Sequence, residues 1–249
     1  MKEDNLNNEL ELASRAAKDA GKFLLKNKHE LNLQIKSDPK DTKLKADASS
    51  EDLIKEIIIS NSDYPILAEE SGKSKDNLGD IFWVIDPLDG TANFNRNIPI
   101  CCVSIGLVKD MKPILGVIYD FNNDDLYEGN NLTNITTLNK QNIAVSNINQ
   151  KQNGVLITGL PFNTDYSDQS LKEMIVDMQS WKKIRMIGSA AMASCYIASG
   201  RAELYKEKGI YLWDVIAGAS IVEAAGGKAE ILNMKDNFQV DVVFSNANI

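Results

Sequence analysis

The chain has 249 residues, with 27 basic and 35 acidic side chains and a formal net charge of −8. Its 43% hydrophobic and 25% charged residues are typical of a globular protein and exclude a disordered chain or a fibre. The acidic balance argues against nucleic acid or an anionic membrane as a partner. Three cysteines do not make a disulfide framework in a chain of this size. With neither a leader nor a long apolar stretch in the sequence, we expect a soluble, cytoplasmic protein.

The first segment of the chain contains two helix signals. Apolar residues at three- and four-residue spacing predict an amphipathic helix over 6–25. The charged segment 26–48 is predicted to be a loop or a short hairpin. A second helix is predicted over 49–60, with Ser49 or Ser50 as its cap.

Strand signals follow, and several of them end at acidic residues. The apolar run 66–68 ends at two glutamates, and the buried-strand pattern 81–85 ends at an aspartate. The β-rich runs 100–108 and 113–119 predict a hairpin with a four-residue turn. The pattern of this half of the chain therefore predicts an α+β fold.

The segment 122–153 is rich in Asn, Thr and Gln and is the best candidate for a subdomain boundary. We predict an N-terminal subdomain over 1–145 and a C-terminal one over 146–249. The second half alternates strands and helices and reads as α/β. Its predicted strands are 155–158, 183–187, 228–231 and 240–244, and its predicted helices are 170–180, 189–198 and 214–225.

An Asp-Pro-Leu-Asp-Gly-Thr segment over 86–91 is the most informative part of the sequence. An apolar strand delivers Asp86, and the proline and glycine predict a turn that brings Asp89 back beside it. Two adjacent carboxylates repel each other unless a cation lies between them. Mg²⁺ suits this position because it binds one or two carboxylates together with waters and a substrate phosphate. The carbonyl of Leu88 adds a neutral oxygen.

The amide groups of Gly90 and Thr91 would face the same point and favour an anion, so metal and phosphate sites would adjoin. The alternative is an ordinary turn in which aspartate forms the turn and caps a helix. That alternative leaves unexplained the other acids at the ends of predicted elements, which are Glu69, Glu70 and Asp214.

Haloacid dehalogenases also have a motif that ends in Asp-Gly-Thr. Their two aspartates are two residues apart near the start of the domain, whereas Asp86 and Asp89 are three apart at mid-chain. The spacing excludes that class.

Three motifs together resemble those of the inositol monophosphatase family: Ala-Glu-Glu-Ser at 68–71, Asp-Pro-Leu-Asp-Gly-Thr-Ala-Asn-Phe at 86–94, and Leu-Trp-Asp-Val-Ile-Ala-Gly-Ala-Ser at 212–220. The resemblance runs from about residue 6 to the C-terminus. It implies an α/β fold with five layers, α-β-α-β-α, of the inositol monophosphatase and fructose-bisphosphatase type. It also implies a phosphoric monoester hydrolase with two or three Mg²⁺ ions per site, and a homodimer.

The resemblance assigns roles by motif match. The implied metal ligands are Glu69, Asp86, the Leu88 carbonyl, Asp89 and Asp214; the implied catalytic residues are Asp47, Glu69 and Thr91; and the implied substrate-binding residues are Asp89, Gly90, Thr91, Ser189, Ala190, Glu207 and Asp214. Thr91 and Asp47 would orient a water whose pKa the metal lowers, and no residue would become phosphorylated. One departure concerns Leu44, since the family commonly has threonine at this position, three residues before Asp47.

The position of Glu207, seven residues before Asp214, resembles that of a glutamate that contacts ring hydroxyls in inositol monophosphatases. The alternative is an exposed acid between Lys206 and Lys208. The resemblance favours inositol 1-phosphate or a similar polyol or sugar phosphate as the substrate. A 3′(2′),5′-bisphosphate nucleotidase or fructose-1,6-bisphosphatase-like activity stays open, as does a non-catalytic relative that binds phosphorylated ligands.

Overall fold

The computed structural model describes residues 3–38, 41–160 and 165–249. The helices in these ranges are α1 (Glu3–Lys26), α2 (Lys28–Leu31), α3 (Lys45–Ile59), α4 (Thr91–Asn95), α5 (Asp168–Gln179), α6 (Ala190–Ala198) and α7 (Leu212–Ala224), with one 3-10 turn at Lys151–Asn153. The strands are β1 (Gln34–Asp38), β2 (Asp41–Leu44), β3 (Ile66–Ala68), β4 (Gly72–Lys73), β5 (Ile81–Asp89), β6 (Cys102–Lys109), β7 (Lys112–Asp120), β8 (Asp125–Asn130), β9 (Ile135–Leu138), β10 (Gln141–Asn142), β11 (Val155–Thr158), β12 (Lys183–Arg185), β13 (Leu204–Tyr211), β14 (Lys228–Leu232) and β15 (Gln239–Ser245).

Two large sheets and a small hairpin contain these strands. The first sheet has eight strands in the order β10-β9-β8-β7-β6-β5-β3-β4, and only β3 and β5 in it run parallel. The second sheet has five strands in the order β12-β11-β13-β15-β14, with β11 parallel to both of its neighbours. Strands β1 and β2 form a separate antiparallel hairpin.

Helices and sheets alternate in five layers, as predicted. One core cluster packs α1 and α3 against the first sheet. A second cluster fills the space between the two sheets, where α6 and α7 lie. A third, smaller cluster joins α5 to the outer face of the second sheet. The α/β class and the α-β-α-β-α layering are therefore confirmed.

Helix α7 lies against the first sheet because glycines on three neighbouring strands leave room for its backbone. Gly106, Gly116 and Gly129 are paired in register across β6, β7 and β8. A Cβ on Gly106 would lie 2.8 Å from Ile216, and one on Gly129 would lie 2.6 Å from Ile221. A Cβ on Gly116 would overlap the backbone of α7. The glycine row thus sets the path of α7, whose first turn carries an acid of the candidate site.

The second helix begins earlier than predicted, and its predicted serine cap is wrong. Helix α3 starts at residue 45, where the N–H of Leu44 donates to Oδ2 of Asp47 at 2.9 Å. Asp47 therefore provides the local hydrogen bond that was expected from Ser49 or Ser50. Ser50 lies inside the helix instead and donates to the carbonyl of Pro87 at 2.9 Å.

Other predictions differ from the structure in detail. The predicted hairpin forms, but its loop contains only Asp110 and Met111, both with positive φ. The segment 122–153 adds β8, β9 and β10 to the first sheet before the chain crosses to the second. The chain thus passes from the first sheet to the second between Asn142 and Val155. The division into two subdomains stays a prediction.

Strand β13 was missed entirely by the sequence analysis, although it lies at the centre of the second sheet. Its charged Lys-Glu-Lys run and an irregular register against β15 conceal the usual alternation.

None of the described helices combines the length and the apolar content that crossing a membrane requires.

Candidate active site

Two acids of the site occupy the same position in different helices. Asp47 is the third residue of α3, and Asp214 is the third residue of α7. Each accepts a hydrogen bond from the backbone N–H just before its helix: Leu44 donates to Asp47 at 2.9 Å, and Tyr211 donates to Asp214 at 2.8 Å. These bonds fix both carboxyl groups at the ends of their helices.

Two further acids come from neighbouring parallel strands. Glu69 directly follows β3, and its N–H donates to the carbonyl of Ile85 in β5 at 3.1 Å. Asp86 is the next residue along β5, so the two side chains lie beside each other. In addition to burial, the negative charge of Glu69 raises the pKa of Asp86, as expected of two carboxyl groups held close together.

A bulge in β5 brings the second aspartate of the motif to the same face as the first. Asp86 lies opposite Ser104 and Asp89 lies opposite Cys102, so three steps along β5 match two steps along β6. Residues three apart in a regular strand would point to opposite faces, and the extra residue cancels this alternation. The predicted turn is therefore a bulge within β5, although its effect on Asp86 and Asp89 is the expected one.

The Asp89 carboxylate is held by the start of α6. Its Oδ2 accepts hydrogen bonds from the hydroxyl of Ser189 at 2.5 Å and from the N–H of Ala191 at 2.7 Å, and its Oδ1 accepts from the N–H of Ala190 at 3.3 Å. The positive end of the helix dipole favours this carboxylate. Ser189 and Ala190 therefore border the acid cluster, while their contact with substrate stays a prediction.

The acids form one electrostatic cluster. Burial raises the pKa of Asp86 well above its usual value, and the charges of Glu69, Asp89 and Asp214 raise it further. Burial likewise raises the pKa of Glu69, to which Asp214 adds, and the pKa of Asp214, to which Asp89 and Glu207 add. None of the ion pairs between described residues involves Glu69, Asp86, Asp89 or Asp214.

The donor chemistry of this cluster fits a hard divalent cation. The set offers carboxylate oxygens, which Mg²⁺ prefers, and a cation among them would relieve their mutual repulsion. In the described parts of the chain, no three acidic, cysteine or histidine side chains are arranged as a preformed metal site. The acids therefore lie close enough to raise one another's pKa without forming a closed ligand shell.

Thr91 links this cluster to α3. Its hydroxyl lies 2.8 Å from Oδ1 of Asp47 and 3.0 Å from the carbonyl oxygen of Leu88. Burial raises the pKa of Asp47 to about 6, against the hydrogen bonds from Thr91 and Leu44, which lower it. Gly90 precedes α4 and places Thr91 at its first residue. The predicted pair of Asp47 and Thr91 is thus in contact despite the departure at Leu44.

Glu207 lies near the acids and is not the exposed surface residue of the alternative interpretation. Its Oε2 accepts a hydrogen bond from the hydroxyl of Tyr205 at 3.0 Å. Burial raises its pKa to about 7, and Asp89 adds to this effect. A Cβ at Gly159, at the end of β11, would overlap the Glu207 carboxylate.

One residue that the sequence analysis missed supports the loop after β3. Glu51 of α3 is 2% exposed, and its carboxylate accepts from the N–H groups of Glu70 at 2.8 Å and Ser71 at 3.1 Å. A glutamate four residues after Asp47 on a helix was a visible signal, since such residues share a helix face. Its partners, however, are 19 and 20 residues away.

An α/β fold of five layers, with carboxylates gathered from two helix starts and two strand ends, defines a class of phosphoric monoester hydrolases. The chain belongs to the inositol monophosphatase family, whose profile matches residues 5–247. This membership confirms the family and the enzyme class predicted from the sequence.

Individual relatives cover most of the chain. It is 36% identical over 232 residues to Nus factor SuhB of Pasteurella multocida, covering 89% of this chain and 84% of that protein. It is 37% identical over 223 residues to the inositol-1-monophosphatase of Synechocystis sp., covering 88% and 77% of the two chains. The solved structure of inositol monophosphatase from Anabaena (Nostoc) sp. superimposes with a TM-score of 0.85 at 33% identity, covering 98% of this chain and 93% of that one.

Proposed function

We propose that the protein hydrolyses a small phosphate monoester with the help of Mg²⁺, and that inositol 1-phosphate or a similar polyol phosphate is the substrate. The observation that carries this proposal is the contact of Asp47 with Thr91 beside the acids of β3, β5 and α7. This contact combines a candidate water-orienting pair with a candidate cation site.

The proposed cation ligands are the carboxylates of Glu69, Asp86, Asp89 and Asp214 and the carbonyl of Leu88, for two or three Mg²⁺ ions. When bound, Mg²⁺ supplies positive charge that holds phosphate oxygens, acidifies a water molecule and stabilises a leaving alkoxide.

In this proposal, residues of this chain orient the attacking water and accept its protons. The Thr91 hydroxyl is held by Asp47, so its oxygen can accept a hydrogen bond from the attacking water. In this proposal Asp47 and Glu69 accept protons, which is supported by the pKa of both carboxyl groups being raised by burial. The amides of Gly90 and Thr91 would donate to the phosphoryl oxygens. No side chain needs to be phosphorylated.

The position of Glu207 supports a polyol substrate. This half-buried carboxylate near Asp89 can accept hydrogen bonds from hydroxyl groups of the substrate. A bisphosphate nucleotide or fructose bisphosphate carries a second phosphate, which a carboxylate in the substrate pocket would repel. Glu207 therefore favours a polyol monophosphate over these alternatives.

Some relatives carry the name Nus factor SuhB rather than that of a phosphatase. A non-catalytic role would relax the requirement for the Asp47–Thr91 pair and for the acids. Because this chain retains all of them, we favour catalysis.

We also propose that the protein is a homodimer. Measuring its molar mass in solution tests this proposal.

Phosphate release from a substrate panel tests the proposal. The panel contains inositol 1-phosphate, adenosine 3′,5′-bisphosphate, fructose 1,6-bisphosphate and histidinol phosphate, each with Mg²⁺ and with excess chelator. We expect inositol 1-phosphate to be the best substrate, with no turnover in chelator and recovery on addition of Mg²⁺. Turnover that persists in chelator contradicts the metal-dependent reaction, and a preference for a bisphosphate contradicts the substrate class.

A further inference from the structure

A buried serine in the first sheet has an unpaired hydroxyl. Ser104 of β6 is 1% exposed, and its Oγ has no hydrogen-bond partner among the described residues. Leaving a buried polar group unpaired costs about 1–3 kcal/mol. Such a group in a native protein calls for a physical reason.

The strand register places Ser104 beside a proposed cation ligand. Ser104 is directly opposite Asp86 in the antiparallel pair of β5 and β6. Directly opposed residues project from the same face, with Cβ atoms about 4.5–5.5 Å apart. Gly106, two residues along β6 on this face, lies against the backbone of α7. Ser104 therefore faces the layer in which α7 carries Asp214.

The Asp86 carboxylate has room for another donor. A carboxylate accepts at about four lone-pair positions, and the N–H of Leu88 occupies one of them, at 3.0 Å from Oδ1. Carboxylates that bind metals are themselves hydrogen-bonded as a rule, and these bonds aim them at the ion.

We propose that Ser104 is a positioning residue whose hydroxyl donates to the Asp86 carboxylate and orients it toward the bound cation. This inference rests on the proposed metal site and adds a residue that does not itself contact the substrate. If the Ser104 hydroxyl orients Asp86 when the cation is bound, this role explains why a buried polar group without a partner is found at position 104.

The test measures Mg²⁺ binding and stability separately. Isothermal titration of the full-length protein with Mg²⁺ alone gives the Kd, and thermal unfolding in chelator gives the stability without metal. For Ser104→Ala, we expect the Kd to increase about 10- to 100-fold, the usual cost of losing such a partner. Stability in chelator should stay equal or increase, because the substitution removes an unpaired buried hydroxyl.

Ser220→Ala is the matched control. Ser220 is also fully buried, but its hydroxyl lies 3.1 Å from Oδ1 of Asn131, away from the acids. This control should lose stability and keep its Mg²⁺ affinity. Ser104→Thr retains the hydroxyl and should bind Mg²⁺ within a few-fold of wild type.

The outcomes separate the two proposals. A wild-type protein that binds no Mg²⁺ refutes the metal site, and the role of Ser104 with it. If the wild type binds Mg²⁺ and Ser104→Ala binds it equally well, only the role of Ser104 is refuted. An equal loss of affinity in Ser220→Ala, or a loss in Ser104→Ala that follows lower stability in chelator, also refutes that role.

Discussion

Asp47 and Thr91 are 44 residues apart in the chain, and their side chains meet with an Oδ1–Oγ1 distance of 2.8 Å. The carboxylate uses its other oxygen for the N–H of Leu44, so the bond that starts helix α3 also orients the partner of Thr91. A single side chain thereby couples the start of a helix to the proposed water-orienting hydroxyl.

This relationship predicts that Thr91→Val lowers kcat by about 100-fold, because a misplacement of the attacking water by about 1 Å costs a factor of this size. Thr91→Ser keeps the hydroxyl and should stay within several-fold of wild type. Steady-state phosphate release at saturating Mg²⁺ measures both variants. Equal rates in Thr91→Val and wild type would remove Thr91 from the proposed reaction.

Glu51 is predicted to stabilise the loop that carries Glu69 and Glu70. Glu51→Gln keeps one acceptor oxygen for two N–H groups, so unfolding in urea should require about 2 kcal/mol less free energy. The Mg²⁺ concentration at half-maximal activity should also increase. Lys55→Ala is the comparison, since it leaves the Glu51 carboxylate in place and removes two solvent-screened contacts of Lys55, one to Glu51 at 3.5 Å and one to the Ser71 hydroxyl at 3.0 Å. It should cost less than about 1 kcal/mol. Similar effects of Glu51→Gln and Lys55→Ala would contradict the support of this loop by Glu51.

Glu207 is predicted to govern the choice among substrates rather than the hydrolysis itself. Glu207→Gln should lower kcat/KM for inositol 1-phosphate about tenfold or more, which corresponds to one hydrogen bond to a charged group. Hydrolysis of p-nitrophenyl phosphate, which lacks ring hydroxyls, should change little. Gly159→Ala should also lower kcat/KM for inositol 1-phosphate, because the new methyl group would displace the Glu207 carboxylate. An unchanged ratio between the two substrates in both variants would exclude Glu207 from substrate recognition.

The same residue predicts a pH dependence of substrate choice. Because burial raises the pKa of Glu207 to about 7, the side chain is largely protonated at pH 6 and largely ionised at pH 8. The ionised form accepts the stronger hydrogen bonds. The preference for inositol 1-phosphate over p-nitrophenyl phosphate should therefore increase with pH through about 7 in the wild type, and stay flat in Glu207→Gln. A wild-type ratio independent of pH would contradict this role.

Stability without metal should decrease as the pH rises. The pKa of Asp47 is raised to about 6 and that of Glu207 to about 7, and burial raises those of Glu69, Asp86 and Asp214 as well. From about pH 4 upward, the folded protein keeps protons that the unfolded chain has lost, so the free energy of unfolding falls with pH through these values. Mg²⁺ should reverse the trend by stabilising the ionised acids. Thermal unfolding from pH 5 to 8, in chelator and in Mg²⁺, measures this, and a metal-free protein that gains stability with pH would contradict it.

The sequence by itself determined the class of the fold and which residue types carry the chemistry. The motifs at 68–71, 86–94 and 212–220 led to the family, because acids at the ends of apolar runs are local patterns. Helices α2 and α4 and strands β4, β8, β9 and β10 were not predicted, because they are short or lie in the polar segment 122–153. The longer helices and eight strands followed from hydrophobic periodicity. Strand β13 did not, because its charged residues and irregular register conceal the alternation of a central strand.

Only the tertiary structure decided which side chains meet. The bulge that brings Asp86 and Asp89 to one face is defined by pairing with β6. The bonds of Glu51 to the loop after β3 and of Ser189 to Asp89 join residues about 20 and 100 positions apart. Periodicity describes one element at a time, whereas such contacts depend on the order and register in which the elements pack.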